Sequence, residues 1–439
     1  MKISFRSILV VGILTAALIT KFAFAEKIAP DADFVAHEWG TFTSVQGADG
    51  VQFDWNPFVA PDLPKFVYDI TRPAGLKPGS VLPGHFTLSK ISMTSRLRME
   101  TPVIYFYSDK ERTVDVDVQF NGGRITEWYP QLTDAKAQNV QPVANANPFR
   151  DGGRMHWSRV MLHPGADGAK LFPNDSTRSH YYAARETDAV PLSVTAEDGT
   201  EQHEKFLFYR GGAGFDAPLR VLQSGDNADV LTVENFAKQP MSALFVLSVR
   251  GDRASLVPIE ALKAGESRHV ECDFEKLSRP LSEVRSEIAV KMQAALVADG
   301  LFAKEAAAMV KTWDDSWFGE QGMRVLYTLP QQWTDGVLPL AVTPAPREVR
   351  RVFVGRAELI TPAMEWAVLR QVVRYAGGDE TAKAAAIKAV QAMNLGRFTG
   401  PALSRVMRAG PQVTEFRRAV SAIIESVRPL APDSLAKAN

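Results

Sequence analysis

The sequence predicts a mainly β protein with added α-helices: an antiparallel β-sandwich body of one or two sandwiches, a helical pair, and a C-terminal helical bundle. Three patterns carry that expectation. Residues 114–120 (VDVDVQF) alternate strictly between apolar and polar, which sets one face of a strand on a core and the other in water. Residues 103–107 (VIYFY), 206–209, 219–222, 230–234, 243–249 and 269–272 repeat short runs with Gly, Asp and Asn between them. Strands that close together favour a sandwich or barrel, because a parallel sheet needs a helical crossover between neighbours. From Ser278 onward the apolar period becomes that of a helix.

Taken in order, Asn121-Gly122 is a two-residue hairpin signal, so residues 114–120 and 125–129 are expected to pair as a β-meander. Leu281, Val284, Ile288, Met292 and Leu296 fall on one helical face, with Ser278 as the expected cap, Pro280 in the first turn and Gly300 just past the end. A second helix is expected over 301–317. Residues 324–329 and 349–359 read as returning strands, separated by a loop containing Pro330, Pro339, Pro344 and Pro346. Thr361-Pro362 opens a further helix, threonine capping and proline occupying the first turn, where its missing N–H costs nothing. Residues 379–393 and 411–427 continue the bundle. These changes of pattern divide the chain into 1–25, 26–189, 190–278, 279–360 and 361–439.

Residues 1–25 read as a cleavable secretory signal: Lys2 and Arg6, an apolar stretch over 8–20, and Ala23-Phe24-Ala25 before Glu26. Lys21 interrupts the apolar stretch well short of the ~20 residues a spanning helix needs, so no stable membrane span is expected after cleavage. Loss of Lys2, Arg6 and Lys21 leaves 47 basic against 50 acidic residues. That near-neutral balance gives no surplus to hold a phosphate backbone, and nucleic acid is not expected as a partner. The single Cys272 excludes an internal disulfide. Set between Glu271 and Asp273 on an alternating stretch, it is expected to point away from both acids and into the core.

Several templates are absent for physical reasons. Residues 212–217 fit GxGxxA, but Pro218 and a strand follow where a phosphate site needs a helix. Neither His37-Glu38 nor His203-Glu204 extends to HExxH, Phe120 stands where a calcium loop needs glycine, and there is no GxSxG, P-loop or CxxC.

The densest polar cluster is residues 174–188 (NDSTRSHYYAARETD). His180, Arg185 and Asp188 are its candidate catalytic groups, an imidazole that titrates near neutrality beside a guanidinium and a carboxylate. Arg178, Arg185 and Tyr181 are its candidate ligand-binding groups, since arginine grips anions bidentately. The same cluster also fits a surface loop pinned by arginine–carboxylate pairs. His37, His156 and His180 are candidate ligands for a divalent metal, imidazole being a common zinc and copper ligand, with His85 and His163 as further histidines in the same half. Strand parity opposes part of that set: His156 and His163 are seven apart and face opposite ways, and His37 points away from Glu38. Trp39, Trp55, Trp128 and Trp157 suit either a sugar-stacking platform or a core.

His37 to Ser44 (HEWGTFTS) resembles the opening of an uncharacterised family of exported bacterial proteins. Residues 99–107 (METPVIYFY), 180–185 (HYYAAR), 205–212 (KFLFYRGG) and 351–362 (RVFVGRAELITP) are similar to the same family. The resemblance implies bacterial origin and export, and no activity. Two functions are therefore expected from the residues: a non-catalytic periplasmic protein that binds a small molecule or an envelope component, or a hydrolase, metal-dependent or not, built on His37, His180 and nearby acids.

Overall fold

The computed structural model describes residues 34–58, 63–70, 93–132, 153–176, 179–223, 229–395 and 398–427. The leader, His85 and Arg178 lie outside them. The chain opens with β1 (Phe34–Gly47), β2 (Tyr68–Asp69), β3 (Leu97–Ser108), β4 (Arg112–Phe120), β5 (Gly123–Tyr129) and β6 (Gly153–Leu162). A short 3₁₀ turn, His180–Arg185, precedes β7 (Leu192–Thr195), β8 (Glu201–Glu204), β9 (Leu207–Ala213), β10 (Leu219–Gln223), β11 (Val230–Asn235), β12 (Leu244–Arg250), β13 (Arg253–Ile259) and β14 (Ser267–Glu271). Then come α1 (Phe274–Leu277), β15 (Arg279–Pro280), α2 (Leu281–Ala298), α3 (Ala303–Asp314), β16 (Gly322–Leu329), α4 (Gln331–Val337), β17 (Leu340–Thr343) and β18 (Glu348–Ile360). The bundle is α5 (Pro362–Ala376), α6 (Glu380–Ala392), α7 (Thr399–Ala409) and α8 (Thr414–Val427).

Ten strands form one open sheet in the order β15-β13-β12-β16-β18-β1-β3-β9-β5-β2. Its pairs are antiparallel except at the centre, where β1 and β18 run parallel. A five-stranded sheet (β17-β4-β6-β7-β8) and a three-stranded sheet (β10-β11-β14) share one apolar core with a face of the large sheet, giving the sandwich. Helices cover the opposite face: α2 and α3 close a second core with Trp39, Tyr105 and Phe208, and the C-terminal bundle closes a third around Val45, Trp55 and Ile360. Strands from 26–189, 190–278 and 279–360 alternate across the large sheet, so those three segments share a core. A β1 buried on both faces follows from this layering.

The helical face of α2 is the expected one. Val284, Ile288, Met292 and Leu296 are fully buried, each burial worth roughly 1.5–3 kcal/mol. Its cap differs from the expectation: Pro280 itself occupies the cap position, and the Ser278 hydroxyl accepts from Arg253 Nε at 3.0 Å. Thr361 caps α5 as expected, accepting from the Met364 N–H, with Pro362 in the first turn. The proline-containing loop is more ordered than its composition suggests, folding into α4 and β17.

The expected β4–β5 hairpin does not form. Asn121-Gly122 is a turn, but β4 pairs with β6 and β17 whereas β5 pairs with β9 and β2. The turn is a corner between two packed sheets. Val114, Val116, Val118 and Phe120 face the shared core, and the Phe120 ring occupies the space a Cβ on Gly123 would need. Close approach also explains Gly355: a Cβ there would lie 2.1 Å from the Tyr327 ring on the neighbouring strand. Gly355→Ala is expected to cost about 1–3 kcal/mol by displacing that ring, and an unchanged urea midpoint would count against this packing.

Cys272 is 1% exposed and part of the sandwich core. Burial first, then the Asp229 carboxylate, push its thiol up to about 11. At pH 8 only about one thiol in a thousand is then ionised. Dithiobis-nitrobenzoate should label the native chain far more slowly than the urea-unfolded chain; equal rates would place the sulfur in solvent.

Candidate functional site

Strand alternation sends His37 and Glu38 to opposite faces of the large sheet, and each meets a buried partner. On the helical side, His37 Nδ1 lies 2.8 Å from Glu305 Oε2, both side chains buried. The same oxygen accepts the Phe302 N–H at 2.7 Å, and the Phe302 ring stacks on the imidazole at 4.4 Å. His37 thereby ties β1 to the first turn of α3. On the other side, Glu38 accepts from Arg351 Nε at 2.6 Å and from the Tyr209 hydroxyl. Arg351 in turn donates to Asp335 on α4 at 2.9 Å.

The 3₁₀ turn is a latch rather than an open site. Its carboxylate partner, Glu204, is fully buried at the end of β8. Glu204 accepts from Arg185 Nε at 2.9 Å and Nη2 at 2.6 Å, from the Tyr181 hydroxyl at 2.9 Å, and from the Lys205 N–H at 2.8 Å. Arg185 Nη2 also donates to Pro173 O at 2.8 Å. Tyr181 is 1% exposed, and burial together with Glu204 holds its phenol protonated well above the usual range. Arg185 and Tyr181, expected to bind a ligand, are therefore spent on the fold. His180 donates Nδ1–H to Thr312 O at 2.6 Å, stacks on Trp313, and sits 3.6 Å from Asp315, which fastens the turn to the end of α3. Asp188 pairs with Lys304 at the surface at 2.5 Å. The expected catalytic set of His180, Arg185 and Asp188 is thus distributed among three unrelated partners.

The expected metal set is corrected in the same way. His37 faces Glu305, His156 Nδ1 lies 3.1 Å from Asp117 on the outer surface of the five-stranded sheet, and His180 faces Thr312. Among the described residues, no group of three or more His, Cys, Asp or Glu side chains is placed to hold a metal ion. His163 Nε2 meets Ser193 Oγ at 2.8 Å, but Ser193 is 2% exposed within a strand pair and presents no nucleophile to a substrate. Trp39, Trp55, Trp128 and Trp157 are all buried, so none forms a stacking platform for sugar.

Sequence reasoning missed the buried charges of β16 and β18. Arg324 and Arg356 both direct Nε to Glu358 Oε1. Arg324 further donates to the carbonyls of Trp317, Glu320 and Gln321, and Arg356 to the Glu320 carboxylate. Burial drags the pKa of Arg324 down; in Arg356 the same burial is outweighed by Glu358 and Glu320, and the pKa rises. The available signal was a charged residue inside an otherwise apolar strand (VFVGRAELI), where a charge needs a partner. The scattered strings HEWGTFTS, METPVIYFY, KFLFYRGG and RVFVGRAELITP prove to be spatial neighbours: β18 flanks β1 on one side, and β3 then β9 on the other.

A cleft of about 300 Å³ lies beside the latch, between residues 165–172 and 187–191, with Lys205 in its lining. The Phe172 ring in its wall packs under the Arg185 guanidinium, 5.3 Å away. Gly168 allows the loop to approach Pro191, which a Cβ would meet at 2.7 Å.

No family model matches the chain, and no curated protein matches it. Among solved structures it is similar to the Fcho1 Mu homology domain of Danio rerio with bound Eps15 peptide, at TM-score 0.26 and 8% identity over 74% of this chain and 97% of that one. The yeast delta-COP-I mu-homology domain with a Dsl1 WxWxV peptide gives 0.24 and 7% over 74% and 96%. At such TM-scores the likeness carries no argument. Among the described residues no helix is long and apolar enough to cross a membrane.

Proposed function

We propose that the chain is an exported bacterial protein of the periplasm that binds a small molecule or an envelope component without transforming it. One observation carries the reading: the side chains a hydrolase would recruit are each closed in a separate structural pair, His37 with Glu305, His180 with Thr312, and Arg185 with Glu204. A general base must reach a substrate proton and a nucleophile must be accessible. His37 is buried, Arg185 is nearly so, and the partly exposed His180 spends Nδ1 on Thr312 O with Nε2 3.6 Å from Asp315. Export is supported by the basic start, apolar stretch and Ala23-Phe24-Ala25 of the sequence.

The test has two arms. Expression in a Gram-negative host followed by osmotic-shock fractionation should release a chain whose mass begins at Glu26; recovery of an intact N-terminus in the cytoplasm would overturn export. Purified chain should turn over no chromogenic ester, phosphate, glycoside or peptide, with or without zinc or manganese. Hydrolysis abolished by His37→Ala or His180→Ala would overturn the non-catalytic reading.

A further inference from the structure

Cleft lining carries both signs of charge. Lys205 contributes an ammonium, and Asp167 and Asp188 contribute carboxylates from opposite walls. Lys205 is positioned: Nζ donates to Thr187 O, itself part of the lining, at 2.8 Å, which leaves two N–H groups on that nitrogen. The carboxylates are only loosely engaged. Asp188 and Lys304 are more than half exposed, as are Asp167 and Lys170, and exposed pairs contribute little and exchange readily. Polar atoms dominate the lining, and the volume is at the small end for ligand sites.

We infer that this cleft is the ligand site and that it takes a small zwitterion, such as a free amino acid, with carboxylate on Lys205 and ammonium on Asp188 or Asp167. The inference rests on the binding reading above. A simple anion would meet two carboxylates there, a simple cation would meet Lys205, and an apolar molecule would strand the polar lining. Burial, then the neighbouring charge of Lys304, lower the pKa of Lys205 despite Asp188. An arriving carboxylate sets an opposite charge beside the ammonium and so offsets this lowering, which reinforces the ammonium form.

Isothermal titration of the purified chain with glycine, alanine and γ-aminobutyrate, against acetate, succinate and putrescine, tests this. At least one zwitterion should bind saturably and be recovered chemically unchanged. Lys205→Met should weaken it about tenfold to a hundredfold, as expected for one charge-assisted hydrogen bond, and so should Asp188→Asn or Asp167→Asn, whichever carboxylate holds the ammonium, while Lys388→Met should leave it unchanged. Asp188 is exposed, so its variant tests the cleft even if Lys205→Met folds poorly. Lys205-dependent binding of acetate or succinate alone would overturn the zwitterion and spare the binder; a chemically altered probe would overturn the binder itself. Binding by no probe, or binding indifferent to the Lys205, Asp188 and Asp167 variants alike, would overturn the cleft as this site.

Discussion

Glu358→Ala is expected to cost at least about 3–5 kcal/mol, the range for breaking a buried ion pair, because it strands two guanidiniums at once. Arg324 and Arg356 are 0% and 1% exposed, and both direct Nε to the same carboxylate oxygen. Water cannot replace that acceptor without opening the sheet. Arg356 keeps Glu320 and Arg324 keeps three backbone carbonyls, so collapse of the chain is not required; a lowered urea midpoint is the readout. The combination Glu358→Leu, Arg324→Met and Arg356→Leu should recover most of the loss, since apolar residues of similar volume often replace buried ion pairs at little cost. A single variant within about 1 kcal/mol of the parent would show that the two arginines do not depend on Glu358.

The second large effect is at the latch. Glu204→Ala removes the acceptor of Arg185, Tyr181 and the Lys205 N–H together, and about 3–5 kcal/mol is expected. His180→Ala removes one hydrogen bond and a stacked ring at a partly exposed position and should cost only about 1 kcal/mol. Limited proteolysis separates the roles: trypsin should cut after Arg185 in Glu204→Ala well before it does in the parent or in His180→Ala. Equal protection in all three would mean that Glu204 does not hold the turn.

These two clusters show why part of the molecule was legible in the sequence and part was not. Val284, Ile288, Met292 and Leu296 announce the buried face of α2, because a helix repeats its side chains every 3.6 residues whatever lies opposite. The parity that separates His37 from Glu38, and buries Cys272 away from its acidic neighbours, is equally local. The dense string around His180 was legible as polar and as either a site or a loop pinned by arginine–carboxylate pairs; that the pin is Glu204, on another strand, was not.

By itself, then, the sequence determined the fold class, the faces of the helices and the Thr361 cap. The strand parity that set His156 and His163 on opposite faces is undone by a bulge at Arg159, which leaves both on the outer face of the five-stranded sheet. Tertiary structure decided which charges meet. Glu38 finds Arg351 from 313 positions away only because β1 and β18 run parallel in a register that sets them side by side. The Asn121-Gly122 turn became a corner because the strands on its two sides pair into different sheets that close on one shared core. Periodicity and capping are fixed by neighbours within a few residues. The closing of a buried charge depends on a pairing register that no local pattern encodes.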